Sequence, residues 1–313
     1  MSQGASPRER LDVTEAVRLL NGGRDEVFQG ISLIDSAAAG NDADALERRA
    51  LLEAIGCARP QSWDRSLDSL AQAARLGSPS AQDQLRTLAG AGDEPEDWDE
   101  IRSRVSIERL IQPPPKQAFS ESPRLRVLEG FASAAECQWL VKSARDRLGP
   151  ATVVTPSGSQ TVRTARTNRA VAFQWAETDV VTEVIRARIS AATGLPLPLF
   201  EASQVLHYAP GQEFSSHHDY FDPQNPGHAE QLRRGQRIAT VLVYINERYS
   251  GGETAFPAAR LSFRGKAGDA LFIANVGRSG SLDPLTLHAG TPPTAGEKWI
   301  FSQWIRDRAP PPA

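Results

Sequence analysis

Residues 215–223 read SSHHDYFDP, two histidines directly before an aspartate. In an extended strand, residues two apart point to one face. His217 and Asp219 then share a face, and His218 turns to the other. An imidazole and a carboxylate on one face can hold a metal ion jointly if a third donor arrives from elsewhere in the fold. The same stretch also reads as a solvated polar edge strand, and H-x-D alone does not separate the two.

The surroundings are β-rich. After residue 200 the chain offers ASQVLHYA (202–209), RIATVLVYIN (237–246), GGETAFP (251–257), DALFIAN (269–275) and KWIFSQWIR (298–306), separated by Gly/Pro turns. Many short strands with such turns predict a sandwich, jelly roll or barrel. The chain has five histidines: His207, His217, His218, His228 and His288. His288, in LTLHAGTPP (285–293), sits late in this region, where a strand can pack opposite the first pair. Two histidines and one carboxylate leave other positions on the ion open, the facial arrangement of non-haem Fe(II) oxygenases.

Ten residues beyond His288 stands Lys298, in GEKWIFSQW (296–304), one of four lysines in the chain. Its strand is apolar and aromatic, so a lysine there is costly without a partner anion. An oxygenase of this class needs such a cation for the distal carboxylate of 2-oxoglutarate. An exposed edge residue near a turn is the competing reading.

The segment from Gln204 to Arg306 resembles the prolyl 4-hydroxylases. The pieces stand in family order: HYAPGQEFSSHHDYF, RIATVLVYIN, GGETAFP, GDALFIAN and LHAGTPPTAGEKWIFSQWIR. The resemblance extends toward Leu125 through VLEGFASAAECQWLV and RTARTNRAVAF. It implies a double-stranded β-helix (jelly roll) with Fe(II) held by His217, Asp219 and His288. It implies 2-oxoglutarate as cosubstrate, its C5 carboxylate on Lys298 and Tyr208 helping to hold it. Thr240 and Tyr244 are further candidates for that pocket. Ascorbate enters as a candidate reductant. On the substrate side, Arg163 and Arg166 are candidates for carbonyls or a carboxylate, and Trp304 for an indole beside the substrate proline; core packing is its other reading. The sequence departs from the pattern at Arg166-Thr167-Asn168 and Pro292-Pro293, which touches the substrate rim rather than the iron site.

The implied function is hydroxylation of a prolyl residue in a peptide or protein, consuming O2 and releasing succinate and CO2. The alternatives are the same chemistry on a free amino acid or other small molecule, and an inactive helical-repeat adaptor. The intact ligand set and Lys298 oppose the last.

Working outward, "VVTEVIRARISAATG" and "SAAECQWLVKSARDRLG" read as helices, the second capped by Ser133 with Glu136 three residues on. The segment 155–170, rich in Gly, Ser, Thr and Arg, reads as a lid. Residues 1–112 read as helices, with apolar residues at three- and four-residue spacing. SAAAGNDADAL (36–46) and AARLGSPSAQDQL (73–85) look like two Sel1-like units of the tetratricopeptide kind, with Gly40 and Gly77 at helix ends. A plain helical bundle is the other reading. Such repeats bind protein partners. The prolines of IQPPPKQ (111–117) favour extended chain, so a linker is expected over 113–123, a dioxygenase domain over 124–308 and a disordered tail over 309–313.

Composition narrows the class. The 313 residues are 40% hydrophobic and 23% charged, which suits a globular protein with a sizeable core. No apolar run reaches the length of a membrane span. The two cysteines, Cys57 and Cys137, exclude a disulfide framework and a cysteine zinc site, and favour a cytoplasmic setting. Residues 1–112 carry 20 Asp/Glu against 13 Arg; the rest carries 22 Lys/Arg against 18 Asp/Glu. Neither half is basic enough to suggest nucleic-acid binding.

Overall fold

The computed structural model describes residues 12–92, 97–151, 153–154, 160–161 and 166–309. Arg163, most of the expected lid and most of the expected tail lie outside the described residues. The chain forms two compact units. One runs through Ile111 and takes in Gln174–Ala187; the other comprises Gln112–Phe173 and the chain from Arg188 onward.

The first unit holds helices α1 (Val13–Leu20), α2 (Arg24–Ala39), α3 (Ala43–Ile55), α4 (Trp63–Arg75), α5 (Pro79–Ala89), α6 (Trp98–Arg104) and α7 (Ile107–Ile111). Asp12, Asp42, Ser62 and Ser78 each accept from a backbone N–H three residues on. That satisfies one orphan donor per helix. A Cβ at Gly30 would lie 3.1 Å from the Leu19 Cβ, so this glycine lets α2 approach α1. The core joins Ala16, Leu20, Ile31, Ile34 and Leu52 to Ala176, with Trp175 packed against it. Gln84 accepts from the Val180 N–H at 3.0 Å, and Arg48 donates to the Ala176 carbonyl at 3.3 Å. A single cut after residue 112 therefore does not isolate this unit, because Gln174–Ala187 belongs to it. The two repeat-like turns also differ. Gly77 takes a positive φ of 90°, but at the first turn Asn41 does so (φ 63°) while Gly40 stays at −80°. Among the described residues no helix is long and apolar enough to cross a membrane.

The second unit is largely antiparallel sheet. Its strands are β1 (Gln117–Glu121), β2 (Arg124–Leu128), β3 (Gly149–Pro150), β4 (Val153–Val154), β5 (Gln160–Thr161), β6 (Arg169–Phe173), β7 (Ser203–Tyr208) and β8 (Phe214–His217). They continue with β9 (Arg237–Tyr244), β10 (Tyr249–Gly251), β11 (Thr254–Phe256), β12 (Leu261–Phe263), β13 (Ala270–Ala274), β14 (His288–Gly290), β15 (Pro293–Gly296) and β16 (Lys298–Arg306). An eight-stranded sheet has the order β1-β2-β13-β9-β16-β7-β6-β3, and a four-stranded one β12-β11-β14-β8. The segment 113–123 is only in part a linker: Pro113–Pro115 precede β1, which pairs with β2. Helix α8 (Ala134–Arg145) carries the expected capping box at Ser133 and Glu136. The Glu136 carboxylate also accepts from Arg188 at 2.7 and 3.0 Å, and Arg188 donates to the Phe131 carbonyl at 2.7 Å. Arg188 lies in the last turns of helix α9 (Val180–Thr193).

β16 explains why one strand can serve both core and site. All nine of its residues are buried, since β9 and β7 flank it. Alternation sends Lys298, Ile300, Ser302 and Trp304 to one face, and those four line a cavity. Leu206 and Tyr208 of β7 and Leu242 of β9 join them there. From the smaller sheet come Phe214 and His217 of β8, Thr254 of β11, and His288 and Gly290 of β14. The cavity thus lies between the two sheets.

Candidate active site

β8 and β14 pair so that His217 stands directly opposite His288. β8 ends at His217, and Asp219 follows in a bend. The alternation argument therefore selects the right pair although the strand stops two residues early. The donor atoms of His217, Asp219 and His288 lie within 4.8 Å of one another. His217 Nε2 is 3.5 Å from Asp219 Oδ1, and His288 Nε2 is 3.6 Å from Asp219 Oδ2. These separations exceed good hydrogen bonds and suit donors that share an ion. The tautomers agree. His217 Nδ1 donates to the Ser215 carbonyl at 2.8 Å, and His288 Nδ1 to the Thr286 carbonyl at 2.9 Å. Each ring then turns the lone pair of Nε2 toward the carboxylate. Burial keeps His288 neutral, its pKa lowered to about 4. The residues present fit Fe(II).

His218 is not part of this cluster. Its Nε2 reaches the Pro284 carbonyl at 3.1 Å and its ring stacks on Tyr220. His228 caps the Asp222 N–H at 2.9 Å, and His207 lies against Trp299 and Glu297.

Thr240 departs from expectation. Its hydroxyl donates to Asp219 Oδ2 at 2.6 Å and accepts from Asn275 Nδ2 at 3.1 Å, in a site with no exposure for either residue. A carboxylate can only accept, so the direction of this chain is forced. Thr240 thereby holds the Asp219 carboxylate, and it is not among the residues that line the cavity. The sequence signal was only a threonine inside an apolar strand; the partner arises from a distant segment.

Lys298 is 1% exposed and pairs across the sheet with Tyr208. Its ammonium lies 5.0 Å from the Tyr208 ring centroid and 5.7 Å from that of Tyr244. Among the described residues it has no carboxylate at ion-pair distance. Burial lowers its pKa to about 7, against the opposing pull of Glu253. A buried cation aimed into a cavity calls for an anionic ligand. Tyr208, pushed up to about 12 by burial, keeps its proton and can donate it. A Cβ at Gly290 would stand 3.0 Å from the Tyr208 hydroxyl, so the glycine of HAG makes room for it. Tyr244 instead turns its hydroxyl to Thr254 at 2.7 Å. Thr254, which sequence reading missed, lines the cavity.

Trp304 lines the same cavity and is 9% exposed. Arg166 is buried, bridges by backbone to Phe214 and lays its guanidinium 4.5 Å from that ring. Phe214 in turn stacks on His217 at 3.6 Å. The structure therefore brings Arg166 to the metal end of the cavity.

Residues 203–306 match the model of the 2OG-Fe(II) oxygenase superfamily. Among curated relatives, Prolyl 4-hydroxylase 5 of Arabidopsis thaliana is 38% identical over 211 residues, covering 60% of this chain and 70% of that protein. Prolyl 4-hydroxylase 1 of Arabidopsis thaliana is 34% identical over 209 residues, covering 62% and 72%. Among solved structures, the viral collagen prolyl hydroxylase of Paramecium Bursaria Chlorella virus-1, in its 2OG complex, is 28% identical with a TM-score of 0.45, covering 58% of this chain and 95% of that one. On the identity and coverage of those relatives, the chain belongs to the prolyl 4-hydroxylase family of 2-oxoglutarate- and Fe(II)-dependent dioxygenases.

Proposed function

We propose that the protein hydroxylates a prolyl residue within a peptide or protein, converting 2-oxoglutarate and O2 to succinate and CO2. One observation carries the reading: a two-histidine, one-carboxylate cluster and a buried lysine face one cavity, with an indole on its wall. Fe(II) bound by His217, Asp219 and His288 supplies activation of O2 coupled to oxidation of 2-oxoglutarate. The chain's own residues do the rest. Lys298 binds the distal carboxylate and Tyr208 donates to it, which fixes the cosubstrate at one end. Leu206, Leu242 and Ile300 exclude water around its methylenes. Thr240 and Asn275 hold the carboxylate of Asp219 in place. Trp304, on the cavity wall, is the proposed contact for the substrate ring, and Arg166 the proposed contact for a flanking carbonyl.

The finer readings are proposals on the same footing. The two facing sheets suit a double-stranded β-helix. Ascorbate suits a reductant role, and a cytoplasmic setting suits the two unpaired cysteines. The helical unit suits a docking module for a protein substrate, which would raise the local concentration of its proline.

The first test is turnover. Purified protein given Fe(II), 2-oxoglutarate and a proline-containing peptide library is expected to form succinate and peptides heavier by one oxygen. Hydroxylation of free proline with none on any peptide would favour the small-molecule alternative.

A further inference from the structure

Trp304 does not hold its place in the cavity by packing alone. The guanidinium of Arg237 lies 3.7 Å from the centroid of its ring. The same guanidinium stands 4.8 Å from the Phe221 ring. Arg237 is fixed in turn by Glu201, through Nε to Oε1 at 2.6 Å and Nη2 to Oε2 at 2.8 Å. This is the two-pronged match that a planar guanidinium makes with a carboxylate. Glu201 Oε1 also accepts from Arg306 Nε at 2.7 Å. Arg306 is anchored elsewhere, donating to the carbonyls of Gln231 and Gly235 at 2.8 and 2.6 Å.

The backbone closes the arrangement. The Glu201 N–H donates to the Trp304 carbonyl at 3.0 Å, and Gln303 Nε2 donates to the carbonyls of Glu201 and Trp304. One residue, Glu201, thereby holds the main chain of Trp304 directly and its side chain through Arg237. Phe221 is two residues beyond the ligand Asp219, and Gln236 pins its main chain at 2.7 and 2.6 Å. Burial would raise the Glu201 carboxyl, but Arg237 and Arg306 hold it below the usual carboxylate range, so the pair stays ionised at neutral pH.

We propose that Glu201 and Arg237 are specificity-determining positioning residues: they fix the angle of the Trp304 indole in the cavity and so decide which substrate ring fits beside the metal ligands. A guanidinium flat on an indole blocks rotation of the ring toward β9. It is attracted to the π face as well as to its carboxylate. A lysine in place of Arg237 keeps the charge but loses both the fork and the flat stack.

The proposal rests on the prolyl-peptide reading, and the experiment separates the two. Arg237→Lys, Glu201→Gln and Trp304→Ala would be compared with wild type, each checked for an unchanged far-UV spectrum. Binding of a fluorescein-labelled poly-proline peptide would be measured on protein loaded with Mn(II) and 2-oxoglutarate. KM for the peptide, KM for 2-oxoglutarate and succinate formed per hydroxyproline would be measured with Fe(II). Arg237→Lys and Glu201→Gln are expected to weaken peptide binding and raise peptide KM by roughly tenfold, the size of one lost stacking contact. They are also expected to raise succinate per hydroxyproline above one, with KM for 2-oxoglutarate within about twofold. A purely structural role would move stability and leave that ratio at one. If Trp304→Ala weakens the peptide while the other two leave binding and coupling unchanged, the positioning role is overturned and the substrate reading stands. If Trp304→Ala itself has no effect on the peptide, the indole takes no part in substrate fit and the proposal falls while the peptide reading stands; a wild type that neither binds nor hydroxylates any peptide sinks that reading instead. Should Arg237→Lys fold poorly, Glu201→Gln carries the same readouts.

Discussion

At the scale of single residues, the site separates near neighbours with different duties. His217 and His218 are adjacent, yet only His217 faces Asp219 and His288. His217→Ala, Asp219→Ala and His288→Ala are each expected to lose Mn(II) binding, read by electron paramagnetic resonance, whereas His218→Ala keeps it within severalfold. Retained Mn(II) in His217→Ala with loss in His218→Ala would reverse the assignment. Lys298 offers a pH test. Its pKa falls from an ordinary 10.5 to about 7 through burial. Between those values the unfolded chain binds a proton that the folded chain does not. Burial of Lys298 therefore costs stability most below about pH 7, and the penalty fades as pH rises through 10.5. A bound carboxylate returns the proton. Binding of 2-oxoglutarate near pH 8 should take up about one proton, a quantity that shrinks toward pH 6. Calorimetry in buffers of different ionisation enthalpy reads it directly. Lys298→Met should abolish the uptake and weaken binding strongly; equal uptake in both proteins would place the anchor elsewhere.

At the scale of elements, the same strands carry core and chemistry, and this governs what could be read from the sequence. The alternation of β16 was legible, because Lys298 stands out in an apolar run and the residues at every second position share its face. The H-x-D pair was legible for the same reason. The partner of Thr240 was not, since Asn275 lies thirty-five residues away and only the fold joins them. Nor was Arg237 on Trp304 legible, because nothing in RIATVLVYIN marks its first residue as more than a surface arginine. The linker over 113–123 was misjudged in part because QAFSE has no strong pattern; its pairing with β2 makes it a strand. Turns matter as much as strands. Gly268 takes a φ of 90°, and a Cβ there would come within 2.3 Å of the Ala132 carbonyl oxygen. Its own N–H and carbonyl bond to Tyr244 and Ala132. Gly268→Ala is expected to cost on the order of 2–3 kcal/mol, from positive φ and a clash with backbone. Urea denaturation measures it; a loss below about 0.5 kcal/mol would mean the turn adapts freely.

At the scale of the whole molecule, the chain comprises two compact units, and the helical one is built from two separate stretches of sequence. Trp175 and Ala176 pack with residues of α1, α2 and α3, so a truncation at residue 112 would strip cover from them. A docking role for the helices is better tested by surface substitutions on α2, where Phe28 and Leu33 are exposed, than by deletion. The catalytic unit makes the central claim: this cavity oxidises a prolyl residue in a polypeptide and consumes one 2-oxoglutarate for each event. The most direct measurement is turnover under ¹⁸O₂ with Fe(II), 2-oxoglutarate and proline-containing peptides, with succinate counted alongside. The account predicts one ¹⁸O atom on a prolyl residue for each succinate, and neither product from Asp219→Ala. Succinate formed by the wild type with no labelled peptide, and the hydroxyl label found instead on a small molecule other than succinate (which takes the second oxygen atom in either case), would contradict it.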